Sequence, residues 1–147
     1  LALIAGPTGK CAQFPLHLWL DEAMEGPSPA SILRNSVVVT CGAFVLIKLQ
    51  PVVVISPITL DVLIAIGAIT AVGASFVALA QIDFKRAFSY SPSAYIGLVF
   101  IAVGTERPGV AFMMLFSHAV ARALIFMSIG AVVYTTHNQD LTESGGL

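Results

Sequence analysis

Long stretches of this chain contain no charged side chain, and each is about as long as a membrane-crossing helix. Residues 62–82 and 87–105 hold no Asp, Glu, Lys or Arg, and a helix needs about 20 mostly apolar residues to cross a bilayer. Charged residues make up 10% of the chain, against roughly 25% in a soluble protein. Because there is too little polar surface to face water on every side, the sequence predicts a membrane protein.

Five mostly apolar segments of about this length divide the chain. Lipid offers the backbone no hydrogen-bond partner, so each segment is expected to be helical, and we predict an all-α, polytopic transmembrane helix bundle. Pro15 and Pro92 fall inside segments and predict kinked or broken helices, whereas Pro51 and Pro57 are expected to bracket the link before the third span. The predicted spans, within one transmembrane domain over residues 1–147, are approximately 1–24, 30–50, 58–82, 86–105 and 109–136.

Charge and motif content exclude several classes of protein. The net charge is −1 and the basic residues are scattered, so no basic patch indicates nucleic-acid binding. Cys11 and Cys41 lack the spacing of a metal site or a disulfide framework, and no phosphate-binding loop or nucleophile motif occurs. We expect no metal site, no cofactor and no catalysis by this chain alone. The chain starts without Met inside an apolar run, which predicts a segment of a larger membrane protein.

Lys10 is the only charge within residues 1–20. A charge at the bilayer centre costs about 2.5–3.5 kcal/mol on insertion scales, and such residues usually face a bundle interior and serve an ion or proton path. The alternative is a lysine that snorkels from a helix end. Gln13 and His17 share the face of Lys10 if the helix continues through Pro15; His17 is then either a proton relay or an interfacial residue.

The fifth span carries Met114, His118 and Arg122 at intervals of four, which places them on one helical face. A lone histidine on an apolar helix is commonly structural, but a histidine one turn from an arginine in a stretch without other charges indicates a buried polar function. Arginine stays protonated in proteins. We therefore expect Arg122 to act as a fixed charge and His118, water and Lys10 to move the proton.

An acidic cluster and a rigid break follow the first span. Glu25 directly precedes Gly26, Pro27 and Pro29, so the break is expected to hold this carboxylate near the next helix N-terminus, where anions are favoured. The alternative is a solvated loop, which applies equally to Asp21 and Glu22 and to the group Asp83, Lys85 and Arg86.

The same residues resemble the antiporter-like subunits of complex I. The strings GKCAQFPLHLWL at 9–20 and AMEGPSP at 23–29 look like the signature of these subunits, and MEGPSP is most similar to that of chain 5, the L-type subunit. Later matches are AQIDFKR at 80–86, Tyr90-Ser91, His118-Ala119, Gln139-Asp140 and GGL at 145–147. The resemblance covers nearly the whole chain.

This resemblance implies a proton-translocating membrane-arm subunit, of which the chain holds the start of the second five-helix half. Lys10 matches the pumping lysine of the broken helix. The implied proton-pathway residues are Lys10, Glu25, Arg34, Lys85, His118 and Arg122, and the implied helix break involves Pro15, Gly26, Pro27 and Pro29. Iron–sulfur clusters and quinone are expected in other subunits. The implied partners are further membrane-arm and peripheral subunits, the lipid bilayer and protons.

The departures from the family pattern are informative. Arg34 stands where the family has its relay histidine, and Met114, His118 and Arg122 replace a His-x-x-x-His-x-x-x-Lys pattern. Asp21 and Glu22 replace Pro-Asp. In these respects the chain looks like the divergent chain 5 of cyanobacterial photosynthetic NDH-1 complexes devoted to CO₂ uptake. That likeness implies electrons passing from ferredoxin to plastoquinone, in the thylakoid or plasma membrane of a cyanobacterium, or alternatively in a bacterial inner membrane.

Two other functions fit the same motifs. The chain also resembles a subunit of a multi-subunit Mrp-type cation/proton antiporter, which has no redox chemistry. A membrane scaffold that keeps the fold without pumping is the third hypothesis.

Overall fold

The computed structural model describes residues 1–136 and 140–143, and helices account for nearly all of them. The α-helices are α1 (Ala2–Lys10), α2 (Leu18–Glu22), α3 (Ser28–Leu33), α4 (Val39–Val53), α5 (Pro57–Ala80), α6 (Phe84–Gly104) and α7 (Pro108–Thr136). A π-helical turn, Arg34–Val38, joins α3 to α4, and 3₁₀ turns follow α2 and α7 at Ala23–Glu25 and Leu141–Glu143. The predicted all-α bundle is confirmed; Gln139 and residues 145–147 of the matching strings lie outside the described residues.

Four helices of the described part of the chain are long and apolar enough to cross a membrane: Pro29–Val53, Pro57–Ala80, Phe84–Gly104 and Pro108–Thr136. They lie where the last four spans are predicted. The first predicted span, 1–24, is different, because it divides into α1 and the short helix α2 with a non-helical stretch between them. A break near Pro15 was predicted, but the helix already ends at Lys10.

Two prolines act differently from the sequence expectation. Pro92 is buried inside α6, which runs through it without interruption, so the prediction of a broken helix at Pro92 is wrong. Pro51 lies within the last turn of α4 and not in the link. The helix continues beyond it to Val53, which is buried. Proline fits helical φ and removes one hydrogen bond, and the packing of the surrounding turns is sufficient to retain both helices.

The most deeply buried of the four long helices is α6, and it packs most closely on α5. Their backbones nearly touch at Gly67 and Gly97, where a Cβ atom on Gly67 would lie 2.4 Å from the carbonyl oxygen of Gly97. Small residues permit such close approach between membrane helices, where van der Waals packing replaces the hydrophobic effect as the main attraction. The outer face of α5 exposes large apolar side chains, including Ile69, Val72, Phe76 and Leu79, which is typical of a surface against lipid or further membrane helices.

The close approach of α5 and α6 predicts the effect of one methyl group. Gly67→Ala places that group against the Gly97 carbonyl and should destabilise the pair by about 1–3 kcal/mol, as overpacking does. Gly73→Ala on the same helix is the matched control, since nothing lies within 4 Å of its Cβ position and alanine favours a helix by about 1 kcal/mol over glycine. The midpoint of heat-induced unfolding of the full-length protein in detergent should fall for Gly67→Ala only; equal midpoints would contradict the packing.

Candidate functional site

Lys10 is the last residue of α1, and its side chain is exposed within the described part of the chain. The sequence places it midway along the first span, with a lysine at a helix end as the alternative. Instead the lysine lies at the carboxyl end of a nine-residue helix, where the orphan carbonyl groups and the helix dipole favour a cation. Gln13 and His17 therefore do not share a helical face with Lys10, since no helix connects them.

The first three residues of the break after Lys10 are fully enclosed. Cys11, Ala12 and Gln13 have no exposed surface, and Ala12 adopts a positive φ of 51°. The Cys11 thiol donates to the Val39 carbonyl at 3.1 Å. The Gln13 amide Nε2 donates to the Ser93 carbonyl at 3.0 Å and to that of Cys11 at 3.2 Å, while the Ser93 hydroxyl donates to the Ala12 carbonyl at 2.7 Å. Helix α6 thus supplies the partner of a backbone carbonyl in the break, and α4 and α6 hold its side chains, whereas its first three backbone N–H groups still bond to carbonyls of α1.

A second set of contacts holds the chain after the break. The Phe14 backbone N–H donates to Thr70 Oγ1 on α5 at 3.0 Å, and the Trp19 indole N–H donates to the Gly9 carbonyl of α1 at 3.0 Å. Pro15 lies exposed in the break. His17 is half-buried with its ring stacked on Phe14, and both line a pocket of about 270 Å³ against α5.

A separate polar group lies between α6 and α7. His118 and Arg122 are buried in the middle of α7, as their spacing predicts. The His118 ring stacks on Tyr95 with centroids 4.9 Å apart, and Arg122 Nη2 donates to the Ser91 hydroxyl. Among residues 1–136 and 140–143, neither His118 ring nitrogen has a hydrogen-bond partner, and no carboxylate lies within ion-pair distance of Arg122. Met114 is half-buried on the same helix.

The remaining predicted residues gather at one end of the bundle. Asp83 caps α6 by accepting from the backbone N–H groups of Lys85 and Arg86. Lys85 is buried and its Nζ donates to the Gly26 carbonyl at 3.5 Å, while Arg86 forms an ion pair with Glu25 at 3.4 Å. The ion pair of Glu25 is thus formed with the first turn of α6. This exposed pair contributes little stability.

Arg34 also belongs to this end group, because its guanidinium donates to the Ala23 carbonyl. Pro27 caps α3 and Pro29 lies in its first turn, so these prolines start a helix after the break at Gly26. The chain after α7 returns to the same end, where the backbone of Asp140 forms an isolated antiparallel β-bridge with that of Asp83. The hydroxyl and backbone N–H of Thr142 lower the pKa of the Asp140 carboxyl.

The structure therefore divides the predicted pathway residues into three groups: Lys10 at the break, His118 with Arg122 between α6 and α7, and Glu25, Arg34 and Lys85 at the end of the bundle. Sequence reasoning did not assign Thr70, Ser91 and Ser93 to the site. Thr70 and Ser93 connect the break to α5 and α6, and Ser91 connects Arg122 to α6. The sequence signal for the two serines was weak, and consisted of hydroxyl side chains at positions 89, 91 and 93 of a segment without charges.

Comparison with known proteins gives consistent matches along the whole chain. A family described as "NADH:quinone oxidoreductase/Mrp antiporter, TM" matches residues 1–147. The chain is 65% identical over 147 residues to "NAD(P)H-quinone oxidoreductase subunit 5, organellar chromatophore 2" of Paulinella chromatophora, covering 100% of this chain and 24% of the relative. It is 38% identical over 149 residues to "NADH-ubiquinone oxidoreductase chain 5" of Hippopotamus amphibius, covering 100% and 25%. The corresponding Petromyzon marinus protein is 38% identical over 140 residues, covering 95% and 23%. The chain spans about a quarter of the length of these relatives.

The contact between the break and α5 predicts a stability difference between two threonines. Thr70→Val removes the acceptor of a part-buried backbone N–H at the break, and leaving a donor unpaired costs about 1–3 kcal/mol where it is fully buried, so the cost here is at the lower end of that range. Thr135→Val is the control, because the Thr135 hydroxyl is exposed and bonds only to carbonyls of its own helix. In full-length protein, the unfolding midpoint should fall for Thr70→Val and stay near the parental value for Thr135→Val; a similar fall in both would refute a special role for the Phe14 contact.

Proposed function

Because the chain belongs to the NADH:quinone oxidoreductase/Mrp antiporter transmembrane family, we propose that it is part of a proton-translocating membrane-arm subunit of a complex I-type quinone oxidoreductase. One observation carries this proposal: the first apolar segment stops being helical immediately after its single lysine, and other helices hold the break. Non-helical backbone at membrane depth is tolerated where it is buried in protein or lines a cavity. A lysine beside such a break has a place to exchange a proton.

The chemistry assigned to the residues follows from their proton affinities. Lys10 carries the transferred proton, since an ammonium group releases its proton far more readily than a guanidinium group. Arg122 is a fixed positive charge one turn from His118. The Gln13 Oε1 atom has no partner among the described residues and offers water an acceptor at the base of the break. The end group of Glu25, Arg34 and Lys85 leads from this interior to the bundle surface.

The type of complex is proposed more finely from the pattern of identities. Identity is 65% to the NAD(P)H-quinone oxidoreductase relative and 38% to the NADH-ubiquinone relatives named above, which favours the first type. With Arg34 and Arg122 standing where the family has histidine and lysine, we further propose the CO₂-uptake form, with electrons passing from ferredoxin to plastoquinone in a thylakoid or plasma membrane. Iron–sulfur clusters and quinone are held by other subunits.

An Mrp-type antiporter subunit is the competing function, since the family description includes it. The three relatives named above are all quinone oxidoreductase subunits, which favours the redox complex. Affinity purification of the tagged full-length protein from its native membrane separates the two. Co-purifying peripheral iron–sulfur subunits would support the redox complex, whereas small antiporter subunits without them would overturn it.

Two substitutions of Lys10 test whether it carries a proton. Lys10→Met removes the titratable group, and Lys10→Arg keeps the charge without the ability to release the proton. Both should retain assembly and lower the number of protons moved per electron in membrane vesicles, measured with a pH-sensitive dye during quinone reduction. Lys48→Met is the control, since Lys48 is exposed beside Phe44 in the carboxyl-terminal half of α4, whereas the break contacts the amino-terminal end of that helix. Full pumping by Lys10→Arg would leave Lys10 a fixed charge, and full pumping by Lys10→Met would leave it a packing or snorkelling residue.

Arg122 is expected to act through a constant charge. Arg122→Lys introduces a group that loses its charge as the pH rises, so pumping should decline at alkaline pH more steeply than in the parent. Arg122→Met removes the charge and should impair pumping over the whole pH range. The measurement is initial proton uptake by vesicles across the pH range, normalised to electron transfer. Parental pumping by Arg122→Met with an unchanged profile for Arg122→Lys would show that Arg122 only anchors α7.

A further inference from the structure

One turn of α6 contacts both interior groups of the candidate site. Residues four apart share a helical face, whereas the residue midway between them lies on the opposite face. Ser91 and Tyr95 are four apart and face α7, where they contact Arg122 and His118. Ser93 lies between them and contacts the break after Lys10.

The contacts on the Ser93 face are made to the parts of the break that have left the helix. Ser93 uses both its hydroxyl, as donor to Ala12, and its carbonyl, as acceptor from Gln13. All three residues are buried, so water does not replace these bonds at low cost. A shift of this α6 turn therefore changes the bonds that hold the break.

The same turn contains Pro92, which is buried. Its missing N–H removes one hydrogen bond of the helical ladder, and such positions are where helices bend. The turn thus has side-chain contacts on both sides at the place where the α6 backbone lacks one hydrogen bond. A displacement of this turn caused by a contact on one face therefore also moves the groups on its other face.

We propose that Ser91 and Ser93 are positioning residues, and that the α6 turn of residues 91–95 couples the Arg122–His118 group to the break beside Lys10. The inference rests on the proposed function for its consequence, since coupling would let the state of one proton site alter the other. The structural part of the proposal does not depend on pumping: loss of the contact between Arg122 and Ser91 should weaken the hydrogen bonds between Ser93 and the break. Coupling between two sites requires such a shared element whose arrangement both sites influence.

A native reporter lies in the break. Cys11 has no exposed surface and its thiol is bonded to Val39, so it reacts with a small alkylating reagent only when the break opens. In a Cys41→Ala background, which removes the exposed cysteine, N-ethylmaleimide labelling of the Cys11 peptide is followed by mass spectrometry in the full-length protein in its native membrane.

Ser93→Ala should raise the Cys11 labelling rate about fivefold, the change expected from loss of one buried hydrogen bond. Ser91→Ala and Arg122→Met, which alter only the far face of α6, should raise it by two- to fivefold. Ser93→Thr, which retains a hydroxyl, should restore the parental rate. Ser75→Ala is the control, because the Ser75 hydroxyl is exposed and donates to its own helix.

The result that overturns the inference is a parental labelling rate in Ser91→Ala and Arg122→Met, whether or not Ser93→Ala opens the break. A pumping readout accompanies the labelling: Ser93→Ala should lower protons moved per electron at unchanged quinone reduction, and Ser93→Thr should recover them. If the Lys10 variants pump normally while labelling still responds to Arg122→Met, the proposed function fails and the coupling stands. If Ser93→Ala does not assemble, the Ser91 and Arg122 variants still decide the question.

Discussion

The absence of water as a hydrogen-bond partner governs the rest of this structure. In lipid every backbone N–H and C=O must be paired within protein, and the four long helices satisfy this internally. Where the chain departs from helix after Lys10, other elements pair backbone groups of the break: Thr70 Oγ1 accepts from the Phe14 N–H, and the Ser93 hydroxyl donates to the Ala12 carbonyl. Side-chain bonds from Cys11 to Val39 and from Gln13 to Ser93 add to these contacts. The break is therefore a tertiary feature, made by side chains that lie far away in the sequence.

That dependence explains how much of the fold could be predicted. The all-α membrane bundle follows from the spacing of charges alone, because length and apolarity are local properties. The exact end of the first helix does not follow, since Thr70 and Ser93 lie more than 50 residues from the break. Pro15 indicated an interruption, but proline is a weak guide by itself. Pro92 has the same chemistry and lies inside an intact helix, because packing on both sides of α6 outweighs one lost hydrogen bond.

The candidate site divides in the same way. The four-residue spacing of His118 and Arg122 was enough to place them on one face, as a helical period requires. Their partners Tyr95 and Ser91 depend on how α7 packs against α6, which no local pattern reports. Arg34 and Lys85 were grouped with the pathway by resemblance, and the structure places them at the end of the bundle. Lys10 at an exposed helix end differs from the buried mid-span lysine expected from the sequence.

The contact between Gly67 and Gly97 has a consequence for what surrounds the protein. Because these backbones approach so closely that neither glycine has room for a Cβ atom, we expect α5 and α6 to have little freedom to slide past one another and to tilt together. The outer face of α5 is exposed along most of its length, as is typical of a surface against lipid or neighbouring helices. The thickness and lateral pressure of the surrounding bilayer, which act on the tilt of a spanning helix, therefore reach the deepest helix of the bundle through two glycines.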